Sequence, residues 1–119
     1  MTHPGDLFDL AYLHSMTGGD PDMRDTLLDL LREELPRERN TLLKAVDDED
    51  VHAIFQASHS LKSTLAYTGN RQAMDINTRL ESATREGRWG GEEQALVAEL
   101  VRVIDQLVQA LPALVQGVE

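Results

Sequence analysis

The sequence is organised around one stretch, Ala57-Ser58-His59-Ser60-Leu61-Lys62-Ser63-Thr64-Leu65-Ala66-Tyr67-Thr68-Gly69, whose spacing predicts an amphipathic helix. On a helical wheel of about 100° per residue, the side opposite His59 is mostly apolar and holds Ile54, Ala57, Leu61, Leu65 and Thr68. The side near His59 holds His52, Phe55, Gln56, Lys62, Ser63 and Ala66. The apolar stripe is wide enough to enter a core. We therefore expect His59 to face water, with Lys62 and Ser63 one helical turn away.

Start and stop signals divide the chain before this stretch. Residues 1–5 are expected to be loosely ordered, and Asp6 is a candidate cap for a short helix from Leu7 to Ser15. The glycines at 18 and 19 end that helix, and Asp20 followed by Pro21 begins the next one. Pro36 either kinks or splits this second helix. One long kinked helix is favoured, because the leucine pattern resumes after Pro36 without a turn signal.

Similar signals divide the rest of the chain. The acidic run at residues 47–50 predicts a turn and a helix cap rather than a cation site, because helix N-termini favour acids. Gly69 then ends the His59 helix, and Asn70 caps a helix that Gly87 ends. A last helix is predicted over 92–116, with Pro112 fraying or kinking its final turns.

The predicted fold is all-α. No run of the 119 residues alternates apolar and polar side chains in the way that a strand does, and the length suits a single domain over 1–119. Four long helices with apolar stripes predict an antiparallel, up-down-up-down four-helix bundle, with the short N-terminal helix across one end. Because one chain can bury all four stripes, we expect a monomer.

Composition excludes several classes of function. The chain has 21 acidic and 11 basic residues, a formal charge of −10, and such a surface repels nucleic acid and anionic lipid. There is no cysteine for a disulfide or a thiolate metal site. No apolar run approaches the roughly 20 residues that span a bilayer, and the first residues lack a signal peptide's basic and apolar regions. We expect a cytoplasmic protein.

The residues around His59 resemble the histidine-containing phosphotransfer (HPt) domains of two-component phosphorelays. The resemblance lies in His59-Ser60-Leu61-Lys62-Ser63 followed by Gly69, together with a turn at residues 17–20 and the pair Leu80-Glu81. It covers roughly residues 6–87. Ser63 stands where the family most often has glycine, which affects how closely a partner approaches rather than the chemistry.

The resemblance implies a bacterial carrier in which His59 accepts a phosphoryl group from a receiver domain's phospho-aspartate and passes it to another receiver. Lys62 would supply a positive charge beside the phosphoryl group, and Ser63 a small neighbour. Glu81 would either orient the site or be a solvated acid. The resemblance implies that the receiver domains, which belong to response regulators or hybrid kinases, bind the Mg²⁺ ion used in the transfer. No metal or cofactor is therefore expected here, and no kinase or hydrolase activity by the chain alone.

A docking surface is predicted on the same face of the helix. Phe55 is unusual at an exposed position, and with Gln56 and the small Ala66 it predicts a partner-binding patch around His59. The alternative for Phe55 is that its ring leans against a neighbouring helix.

Other functions fit less well. His52 and His59 lie about 10.5 Å apart along a helix axis, too far to bind one metal ion. A Ser-His-Asp hydrolase needs a strained turn and oxyanion donors, which a regular helix does not offer. The alternatives left open are a helical bundle that binds a partner without being phosphorylated, and the phosphorylated end module of a chemotaxis-type kinase.

Overall fold

The computed structural model describes residues 7–115, and this part of the chain contains helices and no strand. The helices are α1 (Leu10–Thr17), α2 (Pro21–Asp47), α3 (Val51–Thr68), α4 (Arg71–Arg85) and α5 (Gly91–Val115). The predicted all-α fold is confirmed. The loosely ordered segment expected at 1–5 and the predicted helix end at Gln116 lie outside the described residues.

The four long helices form a bundle. α3 packs against α2 and α4, and α5 packs against the same two helices, so α3 and α5 lie diagonally opposite. The short α1 packs on α2. Short connections join successive long helices and make them antiparallel neighbours. None of the helices between residues 7 and 115 is long and apolar enough to cross a membrane.

The predicted apolar stripes of the four long helices form the core. Ile54, Leu61 and Leu65 of α3 have no solvent exposure at all. They meet leucines and isoleucines from the other long helices, namely Leu28, Leu31, Leu35, Leu42, Leu80, Leu100, Ile104, Leu107 and Leu111. Not every leucine of α2 belongs to the core, since Leu30 is exposed and Leu27 is only half-buried.

The prediction for the first helix was wrong at both ends. α1 runs from Leu10 to Thr17, and its cap is Asp9, whose side chain accepts a hydrogen bond from the backbone N–H of Tyr12 at 2.9 Å. The backbone N–H of Asp9 donates to the carbonyl of Thr68 at 2.9 Å. This bond to the end of α3 holds Asp9 in place, and Asp9 is a residue type that favours the capping position. Asp6 lies outside the described residues.

The other boundaries follow the sequence signals closely. α2 is continuous through Pro36, so the single-helix interpretation is confirmed. Asp50 caps α3 by accepting from the N–H of Ala53 at 3.0 Å, as the turn-and-cap interpretation of the acidic run requires. α5 begins at Gly91, one residue before the predicted start.

Gly69 and Asn70 join α3, α4 and the segment before α1. Gly69 has φ +67°, and a Cβ added to it would lie 2.5 Å from Cβ of Asp9. Asn70 caps α4 by accepting from Ala73 N–H at 2.9 Å, while its amide donates to the carbonyl of Leu7 at 2.9 Å. Glycine is therefore required at position 69 for both its backbone conformation and its close approach.

This double requirement predicts a specific stability difference. Gly69→Ala should lower the free energy of unfolding by more than Gly87→Ala, measured by urea unfolding followed by circular dichroism. Gly87 also has a positive φ, +78°, but a Cβ there meets no atom within 4 Å. Gly87→Ala should thus cost only the left-handed conformation, about 1–2 kcal/mol, whereas Gly69→Ala adds the clash with Asp9. Equal losses would show that the contact with Asp9 is not needed.

Candidate functional site

His59 lies in the middle of α3, on the side that faces water. Its side chain is 63% exposed, while Ala57, Ser58 and Leu61 beside it in the sequence are buried. The orientation predicted from the helical wheel is therefore present in the structure. An imidazole in this position is accessible to a second macromolecule.

A buried carboxylate holds one nitrogen of this exposed ring. Nδ1 of His59 lies 2.7 Å from Oε2 of Glu81 on α4, and the Glu81 side chain is only 6% exposed. A carboxylate can only accept a hydrogen bond, so Nδ1 carries the proton that is donated to it. In the neutral imidazole Nε2 then carries the lone pair. The contact therefore orients the ring and leaves Nε2 as the nucleophile.

A buried polar pair next to the site sets the register between α3 and α4. The Ser58 hydroxyl donates to Oδ1 of Asn77 at 2.7 Å, and the Asn77 amide donates to the carbonyl of Ser58 at 2.9 Å. Both residues are almost completely buried. Because Ser58 precedes His59 and Asn77 lies one turn before Glu81, this pair aligns the histidine with its carboxylate.

Phe55 lies between two charged or polar groups of the site. Its ring is nearly parallel to that of His59, with centroids 6.0 Å apart and an interplanar angle of 27°. The guanidinium of Arg85 on α4 lies 5.5 Å from the centroid of the Phe55 ring. His52 stacks on Phe55 from one turn earlier, at 6.4 Å. Half-buried Phe55 thus packs against α4 while also contacting His59.

Lys62 and Ser63 are both exposed beside His59, as expected. Between residues 7 and 115 no carboxylate lies within ion-pair distance of the Lys62 amine. Its charge is therefore available to a group bound at the surface. The structure brings Lys62, Ser63 and Glu81 to the same patch as His59.

The predicted docking residues lie on two sides of His59. Ala66 is half-buried and lines a groove of about 240 Å³ between α1, α3 and α4, together with Tyr12 and Met74. Gln56 is exposed and lines a groove of about 220 Å³ toward α2, with Glu38 among its walls. The two grooves flank His59 along α3 and on its α2 side.

Glu38 lies in the wall of the groove on the α2 side. Burial raises the pKa of its carboxyl above the usual range, and a hydrogen bond from Thr64, at 3.0 Å, opposes that effect. Among residues 7–115 its second oxygen has no hydrogen-bond partner. The carboxyl links α2 to the buried side of α3 rather than to His59.

The structure also shows features that the sequence did not indicate. Arg85 contacts the site through Phe55 and Glu81, and its spacing of four residues from Glu81 is the signal that could have found it. An apolar groove of about 410 Å³ lies between α1, α2 and the end of α3, and the large apolar side chains that it exposes are Met23, Leu30 and Tyr67. In the described part of the chain, no group of three or more His, Cys, Asp or Glu is placed to hold a metal ion.

Comparison with known proteins identifies two similarities. A family model described as Hpt domain matches residues 26–116. The crystal structure of the HPT domain from the Hpt sensor hybrid histidine kinase of Shewanella superimposes with a TM-score of 0.83. That similarity covers 96% of this chain and 97% of the other at 14% identity, so it shows a common fold. A search of curated proteins found no matching relative.

Proposed function

The chain belongs to the Hpt domain family and acts as a phosphorelay carrier, and we propose that His59 is the residue that carries the phosphoryl group. The observation that supports this most directly is the 2.7 Å contact between Nδ1 of His59 and the buried carboxylate of Glu81. It directs the unprotonated Nε2 away from α4, on a side chain that is largely exposed. A partner's phosphoryl group can reach that nitrogen without any movement of the bundle.

The reaction that this geometry supports is a transfer between two acceptors. The Nε2 lone pair forms a bond to phosphorus as the bond between phosphorus and the receiver's aspartate oxygen breaks, and the electron pair leaves with the aspartate carboxylate. The proton on Nδ1 stays shared with Glu81 throughout. The reverse reaction regenerates an aspartyl phosphate on the same or another receiver, so the chain can pass the group in either direction.

Three side chains have separate roles in this step. Glu81 fixes the orientation of the imidazole ring, so Nε2 already points toward the incoming phosphorus atom and the ring need not rotate first. The Lys62 ammonium lies one turn from His59 and stabilises the negative charge of the transferring group. Ser63 is exposed and small, so it leaves room for the partner next to the imidazole.

The partner is a receiver domain of a response regulator or hybrid kinase, and the docking face is the surface around His59. Ala66 and Gln56 line the two grooves that flank the histidine, and these offer an irregular surface for a second protein. Phe55 contributes the exposed part of its ring. The receiver supplies the acidic site and its Mg²⁺, so this chain contributes only the nucleophile, the orienting acid and the positive charge.

The proposal also includes a cellular compartment and an oligomeric state. We place the carrier in the cytoplasm of a bacterium, where receivers and their kinases exchange phosphoryl groups. A monomer is supported by the core, because the stripes of the four long helices are buried against one another within one chain. Light scattering after size-exclusion chromatography measures this state directly.

The assignment of His59 predicts the outcome of a labelling experiment. Receiver domains from the same organism, phosphorylated with acetyl phosphate and Mg²⁺, should transfer an acid-labile label to the wild-type chain. His59→Gln should take no label while keeping its helical circular-dichroism spectrum. His52→Gln is the matched control, because His52 is an exposed histidine on the same side of α3, and this variant should be labelled normally.

Two results would contradict the proposal. Equal labelling of His59→Gln and wild type would move the phosphorylated residue elsewhere. A wild-type chain that binds a receiver but takes no label would show a binding module instead of a carrier.

The docking face predicts a second variant that separates binding from chemistry. Ala66→Arg adds length and charge to a groove two turns from His59, so transfer from a receiver should fall by on the order of tenfold or more, because close approach is blocked. The free energy of unfolding should change by less than about 1 kcal/mol, since Ala66 is not fully buried. Chemical labelling of His59 by phosphoramidate, which needs no docking, should be preserved.

The matched control is Ala98→Arg, on the exposed side of α5, the helix diagonally opposite α3. It should transfer at the wild-type rate. Normal transfer by a stable Ala66→Arg variant would place the docking face away from this groove, and a large loss of stability would show that position 66 belongs to the core.

A further inference from the structure

The Glu81 carboxylate contacts two cationic or polar groups rather than one. Oε2 accepts from His59, and Oε1 lies 3.5 Å from the guanidinium of Arg85, one turn further along α4. A neutral imidazole that donates one proton leaves the carboxylate charge in place. Arg85 is therefore the cation that balances Glu81 before any phosphoryl group arrives.

Phe55 keeps this guanidinium in the neighbourhood of the histidine. One ring contacts both groups, with Arg85 5.5 Å from its centroid and the His59 ring 6.0 Å away. A guanidinium over an aromatic face is attracted by the ring quadrupole. The Arg85 side chain is nevertheless 58% exposed, and its contact with Glu81 is long, so it is held near the site without being fixed to one partner.

Phosphorylation changes the charge balance sharply. A phosphoryl group on Nε2 adds between one and two negative charges across the imidazole ring from Glu81. Lys62 approaches this group from α3, and Arg85 is the cation that α4 supplies on the Glu81 side. Arginine binds phosphoryl oxygens in a bidentate geometry that lysine cannot match.

We propose that Arg85 is a second phosphoryl-stabilising residue, held over Phe55 and against Glu81 in the free protein and bound to the phosphoryl oxygens once His59 is modified. The proposal rests on the proposed function, because it needs a phosphoryl group on His59. The consequence is thermodynamic: Arg85 favours the phosphorylated carrier over the phosphorylated receiver. No additional bond is made or broken, since the guanidinium only exchanges one anionic partner for another.

The test is the equilibrium distribution of phosphoryl groups between the chain and the receiver domain that labels it. This constant depends only on the free species, so a residue that acts in docking changes the rate of transfer without changing the constant. Arg85→Gln should lower the constant, in the direction of the receiver, by about three- to tenfold, which is the effect of one partly exposed charge-assisted contact. Arg85→Lys should recover part of that loss, because it restores the charge without the planar fork.

Two further variants make the test specific. Arg79→Gln removes an exposed arginine of the same helix that makes no ion pair within residues 7–115, and its constant should match wild type. Phe55→Leu keeps apolar packing but removes the aromatic face, and it should shift the constant in the same direction as Arg85→Gln by a smaller factor.

The outcomes separate this inference from the proposed function. A wild-type chain that accepts no phosphoryl group would overturn the proposed function, and the role of Arg85 with it. A wild-type chain that is labelled, with an unchanged constant in Arg85→Gln, would overturn the role of Arg85 alone. A slower rate at an unchanged constant would assign Arg85 to docking instead, and equal shifts in Arg85→Gln and Arg79→Gln would assign the effect to net charge.

Discussion

The burial of one side of α3 is the constraint on which the rest of this structure depends. Ile54, Leu61 and Leu65 are fully removed from water, and each such side chain contributes about 1.5–3 kcal/mol of burial free energy. Their burial against the other helices of the bundle leaves the opposite side of α3 in solvent. His59 lies on that opposite side, so the burial of the apolar residues of the same helix places its imidazole in water. The exposure of the site therefore follows from the packing of the core.

The polar contacts between α3 and α4 convert that exposure into a defined geometry. Ser58 and Asn77 fix the register inside the bundle, and one turn further along α4 Glu81 meets His59 at the surface. A slip of one residue between the helices would separate the carboxylate from the imidazole. Against an overall charge of −10, Lys62 and Arg85 place positive charge on the side of the bundle where we propose that the receiver docks.

Much of the fold and the exposure of His59 could be predicted from residue spacing, because both depend on which side of a helix is apolar. The contact of His59 with Glu81 could not, because it depends on the register between two helices, which a buried serine and asparagine determine. The predicted start of α1 was wrong for a similar reason, since the backbone N–H of Asp9, which caps α1, is held by the carbonyl of Thr68 on another helix. Arg85 was missed although its spacing from Glu81 is visible in the sequence, because nothing local indicates that the pair lies beside Phe55.

We propose that Glu81 holds the proton of His59 on Nδ1 and thereby makes Nε2 the phosphoryl acceptor. The most direct measurement is ¹⁵N NMR of the His59 ring in histidine-labelled protein, before and after phosphorylation. We expect a protonated Nδ1 in the free protein and a phosphorus atom bonded to Nε2 in the modified one. A phosphoryl group on Nδ1, or a free ring with its proton on Nε2, would contradict it.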